Sequence, residues 1–207
     1  MRLIIVLLLS ATAACAQESH LWTPLKTYTD TARGVSFQYP ASWEAETQFG
    51  YCPGALSSSE TKPVAGFGFM VGQTANKPTD ILEENVFISG FGIVYSAVPT
   101  ASAVACNAMA TKFLEGQTSG KTKRIRLGGI TYTSYDASVF ATSKHTEGTL
   151  YATFRQKTCL LFETDEAFVA TAMYDEDDVR TRTAAGIRPS RSISSHLLDV
   201  MKSIRIR

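Results

Sequence analysis

The sequence predicts an α+β domain, an antiparallel sheet flanked by helices. Three stretches carry that expectation. Val35, Phe37 and Tyr39 alternate with Ser36 and Gln38, the period of a half-buried strand. Thr149–Phe154 and Thr158–Thr164 are β-rich runs joined by Arg155-Gln156-Lys157, a hairpin pattern. Ile193, Leu197, Val200, Met201 and Ile204 recur as one apolar helical stripe at the end of the chain. Strands in hairpins with few helices argue for helices laid on a sheet.

The chain begins with Arg2, an apolar run from Leu3 to Leu9, and small residues up to Ala16. A basic start, an apolar core and a small-residue end make a secretory signal peptide. The run is short of the about 20 apolar residues that a spanning helix needs. Ala14-Cys15-Ala16 fits cleavage before Gln17, which is the favoured expectation. The rival is lipidation at Cys15, against which Thr12 stands where such sites want Leu. Residues 1–16 are thus expected to be a leader and 17–207 a single domain, periplasmic or secreted. A membrane association is expected only if Cys15 is lipidated.

The leader carries one of the 20 Lys+Arg and none of the 19 Asp+Glu, so the remainder is charge-balanced. No basic excess points to nucleic acid or to an anionic membrane. The 44% apolar content is that of a globular domain, not a disordered one. Export implies an oxidising compartment. Cys52, Cys106 and Cys159 remain after cleavage, an odd number. Cys52 and Cys106 sit in turn-rich surroundings, whereas Cys159 opens the apolar run Cys159–Phe162. The expectation is a Cys52–Cys106 disulfide with Cys159 as a buried thiol. Three free thiols are the alternative.

In chain order, Tyr28 to Gly34 reads as an approach and turn. The strand Val35–Tyr39 follows, and Pro40 should end or turn it. Trp43 to Phe49 reads as its antiparallel partner, and residues 50–63 as a Gly/Pro/Ser-rich loop. Val64–Gln73 reads as a strand, with Gly66 and Gly68 allowing close approach. Thr79 is placed to cap a helix from Asp80 to Phe87, with Gly90 and Gly92 ending it. Ala110 to Gly116 reads as a short strand. Arg124 to Tyr132 breaks at Gly128-Gly129, and Ile130–Phe140, rich in Tyr, Val and Thr, reads as a strand. Cys159–Phe162 is apolar on both faces and should be central. Residues 165–191 read as a polar surface excursion before the last helix.

The stretch Gly34-Val35-Ser36-Phe37-Gln38-Tyr39-Pro40-Ala41-Ser42-Trp43 resembles the opening strand of the PsbP-like family, which includes DcrB-type bacterial envelope proteins. The closing helix followed by Ser203-Ile204-Arg205-Ile206 is also similar. The resemblance implies a PsbP-like sandwich, an antiparallel sheet with flanking helices. It carries over no catalytic residue, and implies a binding or assembly module.

His20, His145 and His196 lie beside no G-x-S-x-G elbow. His145 and Glu147 are spaced to share a strand face, but no further metal ligand stands near, and an exposed loop before the hairpin is the better reading. The cysteines show no C-x-x-C spacing. Asp175–Asp178 lacks the spacing of a calcium loop and reads as solvated. Lys121, Lys123, Arg124 and Arg126 read as a wet sheet edge. The expectation is no catalytic, cofactor or metal site, and hence a non-enzymatic exported envelope domain that binds a protein partner or ligand. The alternatives are an envelope hydrolase with an unrecognised site, or a passive envelope assembly or stability factor.

Overall fold

The computed structural model describes residues 22–46, 63–70, 81–83, 86–114, 118–119, 122–141, 144–170 and 190–207. The leader, Cys15, His20, Cys52, Lys121 and the acidic run 175–178 lie outside the described residues.

Two antiparallel sheets make up the architecture. In the small one, β2 (Val35–Pro40) lies between β1 (Leu25–Asp30) and β12 (Arg205–Ile206). The large one runs β3 (Glu44–Ala45), β4 (Ala65–Met70), β6 (Val86–Pro99), β11 (Thr158–Ala170), β10 (Lys144–Arg155), β9 (Ile130–Ala141), β7 (Thr118–Ser119). Short β5 (Ile81–Glu83) adds to β6, and β8 (Lys123–Leu127) adds to β9. Helices α1 (Ala103–Phe113) and α2 (Ser190–Ser203) cover opposite faces of the large sheet.

The expected stripe of α2 is where it should be: Ile193, Leu197, Val200, Met201 and Ile204 are all buried. They pack with Val35 and Phe37 of β2 and with Ile93, Tyr95, Leu160 and Phe162 of the large sheet. At about 1.5–3 kcal/mol for each buried aliphatic side chain, this stripe is enough to hold the helix down. The two stretches that carried the family resemblance also meet. Arg205 and Ile206 pair with Ser36 and Val35, and the Gln38 N–H donates to Ser203 Oγ at 2.8 Å.

The hairpin β10–β11 turns at Gln156 and Lys157, whose φ values are both positive, 46° and 59°. Two-residue hairpin turns need that geometry, and here residues other than Gly adopt it. β11 is central, between β6 and β10, and buried on both faces as expected.

Several expectations fail for identifiable reasons. The partners of β2 are β1 and β12, not the stretch after Trp43, of which Glu44 and Ala45 pair with β4 instead. Ile81–Glu83 and Val86 onward are strands, not a helix. Gly90 and Gly92 lie inside β6, where their missing side chains suit a covered sheet. Residues 110–113 are the end of helix α1, not a strand. Ser102 caps that helix by accepting from the Ala105 N–H at 3.2 Å. The strand β11 continues to Ala170, so Asp165–Ala170 is no surface excursion. His145 and Glu147 belong to β10, not to a loop before it.

The disulfide expectation is also corrected. Cys106 bonds to Cys159, not to Cys52, and Cys159 is therefore no free thiol. Helix α1 lays Cys106 on the second face of β11, with the two Cα atoms 5.1 Å apart, inside the usual span for a disulfide. Both cysteines are buried in the second core with Ala110, Leu114, Leu150 and Leu161.

Candidate functional site

The register of the large sheet explains where a site forms. Directly opposed residues of an antiparallel ladder share a face. One row on the α2 face reads Phe69, Phe91, Glu166, Glu147, Ser138 from β4 to β9. The next reads Phe67, Ile93, Thr164, Thr149, Asp136. Each row is apolar on β4 and β6 and polar on β9 to β11. The apolar half joins the core under β1, β2 and α2. The polar half lies beside the N-terminal part of α2 and forms a cleft of about 560 Å³.

Helix α2 contributes Ser194, Leu197 and Leu198 to the cleft wall. The Ser194 hydroxyl donates to Glu166 Oε1. Glu166 is only 9% exposed. Burial pushes its carboxyl above the usual range. The Ser194 hydrogen bond pulls the other way, and the Glu147 charge opposite adds to the rise. Tyr151 at the cleft floor is also raised by burial, against hydrogen bonds with Thr149 and Thr164. At the rim, Lys123 Nζ pairs with Asp136 Oδ2 at 3.1 Å, an exposed contact of small energetic value.

The cleft is thus rich in acceptors. Asp136, Glu147 and Glu166 offer carboxyl oxygens, with hydroxyls from Ser138, Thr149, Thr164, Tyr151 and Ser194, and none of the described lining residues is cationic, Lys123 standing at the rim. That chemistry repels phosphates and carboxylates and suits groups that bring N–H or O–H donors. Among the described residues no cluster of three or more His, Cys, Asp or Glu is placed to hold a metal ion.

His196, set beside no nucleophile motif in the sequence, is not among the cleft residues: it lies on another side of α2, half-buried and stacked on Trp22 with ring centroids 4.0 Å apart. Lys123, Arg124 and Arg126 lie exposed on β8, which pairs only with β9 among the described strands. Of the cleft residues, the sequence assigns a candidate chemistry to Glu147 alone, as a metal ligand with His145, and gives Thr149, Tyr151, Thr164 and Leu197 only structural places. No alternation marked Thr164 or Glu166: Cys159–Phe162 is apolar on both faces and Glu163-Thr164-Asp165-Glu166 is polar on both, so nothing in the pattern carries the strand past Phe162.

No family model matches the chain, and no curated protein matches it. Solved structures give distant likenesses. A Bacteroides thetaiotaomicron protein is 11% identical over 88% of this chain and 48% of its own, with a TM-score of 0.43. This chain therefore spans about half the length of that protein. LpqN of Mycobacterium tuberculosis, described as involved in cell envelope biogenesis, is 11% identical over 89% of this chain and 86% of its own, with a TM-score of 0.39. PA94 of Pseudomonas aeruginosa, a protein of unknown function, is 10% identical over 79% and 91%, with a TM-score of 0.36. Likenesses at these scores establish neither a common family nor a shared activity.

Proposed function

We propose that the protein is an exported, non-enzymatic domain of the cell envelope, built as a PsbP-like sandwich, that binds a donor-rich ligand or partner segment in the cleft between α2 and β9–β11. The observation that carries the reading is the cleft itself. Two of its polar side chains, Thr164 and Glu166, are buried in the sheet, where a structural role alone would favour apolar ones, and Glu166 is held there at a desolvation cost. Export rests on the leader at residues 1–16. The buried Cys106–Cys159 disulfide is compatible with an oxidising compartment. Among the described residues no helix is long and apolar enough to cross a membrane. On this reading a membrane tether would come from lipidation of Cys15.

The test is a binding titration followed by backbone NMR, with a neutral oligosaccharide, a polyamine and a basic peptide as probes. The expected result is that at least one probe shifts the signals of Thr149, Tyr151 and Leu198, and that Glu147→Arg abolishes the response. Shifts confined to other surfaces, or no shift with any probe, would defeat the reading.

One observation favours a second reading, an envelope hydrolase. Glu147 stands directly opposite Glu166, whose carboxyl is raised by burial, and a raised carboxyl facing a second one is a pairing that acid–base hydrolysis uses. Turnover of a glycoside or ester panel that vanishes in Glu166→Gln would establish it over simple binding.

A further inference from the structure

Strand β8 lies at an edge of the large sheet: it pairs with β9 and, among the described strands, with no other. The turn that follows it fixes which backbone groups face outward. Gly128 and Gly129 make a two-residue turn, with Leu127 opposite Ile130. A hydrogen-bonded pair closes such a turn, and bonded and non-bonded pairs then alternate along the ladder. Leu127, Ile125 and Lys123 therefore direct their N–H and C=O groups to β9. Arg124 and Arg126, opposite Thr133 and Thr131, turn theirs away from the sheet.

The same two residues carry the charge. Thr133 stands opposite Ala152 of the second core, so Arg124 and Arg126 project on the α1 face. Both are exposed, and neither guanidinium has a partner among the described residues. Nearby acids are engaged elsewhere, Asp136 with Lys123 at 3.1 Å and Asp199 with Lys202 at 2.8 Å. Past the turn, exposed Arg205 donates to the Lys202 and Ile204 carbonyls and extends the cationic stretch. On the other face, Ile125 is half-buried against the main core.

Charge along an edge guards a sheet against uncontrolled pairing. Here the guard is selective. A second copy adding antiparallel to β8 would set like charges directly opposite each other, which is destabilising. A strand with acids at alternate positions would meet Arg124 and Arg126 with opposite charge.

We propose that β8 is a docking edge for an extended acidic segment of a partner protein, added antiparallel as the next strand. The outward N–H and C=O groups of Arg124 and Arg126 make the ladder bonds, and their guanidinium groups meet acids on the α1 face. Apolar residues between those acids lie beside Ile125. A lipid headgroup would use the cations and leave the backbone edge idle. The edge is separate from the cleft under α2 and selects the opposite charge.

The test titrates the intact protein with a peptide alternating Glu and Val, with the same peptide N-methylated at every Glu, and with phosphatidylglycerol vesicles. Binding of the first should slow hydrogen exchange at the Arg124 and Arg126 amides and weaken as salt is raised. N-methylation keeps the charge but removes the donors that reach β8, and should cost about tenfold or more in affinity. Arg124→Ala with Arg126→Ala should cost about tenfold, and the double Lys variant much less. Equal binding of the methylated peptide would reduce the edge to a patch of charge and overturn strand addition. Vesicle binding without a response to the peptide would assign the cations to lipid and overturn the proposal. Unchanged exchange at Arg124 and Arg126 with bound peptide would overturn it as well.

Discussion

Cys106 and Cys159 fasten the first turn of helix α1 to the central strand β11, across a sequence separation of 53 residues. The bond sits where the helix would otherwise rely on Ala110, Leu114 and a few neighbours in a small second core. Closing a loop of that length removes much of the freedom of the unfolded chain, about 4 kcal/mol on the chain-entropy account. Cys106→Ala with Cys159→Ala should lower the unfolding free energy by about that amount in a urea titration. Reductant applied to the unaltered protein should reproduce most of the loss. Peptide mapping without reductant should recover Cys106 linked to Cys159, and a Cys52–Cys106 linkage would contradict the fold.

Gly128 and Gly129 both take positive φ, 57° and 89°, in the turn between β8 and β9. They differ in what surrounds them. A Cβ on Gly128 would lie 2.3 Å from the Lys202 carbonyl oxygen at the end of α2, whereas Gly129 has nothing within 4 Å. Both Ala variants should lose about 1 kcal/mol to backbone strain. Gly128→Ala should lose a further 1–3 kcal/mol, roughly, because backbone must move aside. Thermal unfolding of the two variants side by side reads the difference. Equal losses would mean that the turn does not press on the helix.

Where a stretch had one physical demand on it, the sequence was readable. The α2 stripe and the strand from Val35 each followed a single period, the β10–β11 hairpin followed from two β-rich runs with a short polar link, and each lies where that signal put it. The reading failed where two demands overlapped. Gly90 and Gly92 look like helix terminators, yet they serve a strand whose neighbour carries a buried Asp165. Ala103–Phe113 has little amphipathic contrast, because this helix rests on a narrow core and a disulfide rather than on a wide apolar stripe. The cleft was hidden for a similar reason. Glu147 and Glu166 are far apart in sequence, and only the register of β10 with β11 sets them opposite each other.

Asp30 closes β1 and accepts from the Arg33 guanidinium at 2.8 Å and from the Tyr95 hydroxyl at 3.3 Å. Burial alone would raise its carboxyl, but the Arg33 hydrogen bond and charge outweigh it and hold Asp30 below the usual range. A lowered folded value means stability that is present above the unfolded value of about 4 and lost as pH falls through the folded one. Arg33 is 40% exposed, so solvent screens much of the pair. Asp30→Asn should therefore cost about 1 kcal/mol near neutral pH and progressively less in acid. Urea unfolding at the two ends of that range checks it, and a loss independent of pH would assign the effect to packing.

Glu166 should behave in the opposite sense. Its carboxyl is raised by burial and by Glu147, so ionising it costs stability once pH exceeds the unfolded glutamate value of about 4.3. Gln at this position keeps an acceptor for the Ser194 hydroxyl and removes the charge. Glu166→Gln is expected to gain on the order of 1 kcal/mol at neutral pH and almost nothing in acid. Glu166→Ala, which also removes the acceptor, should gain less. If the cleft binds a donor-rich ligand, Glu166→Gln should at the same time weaken that binding. A variant that is more stable and binds less well is the outcome to expect where a strand keeps an acid for use rather than for folding. A Glu166→Gln protein that gains stability and binds every probe unchanged would free this residue from the site.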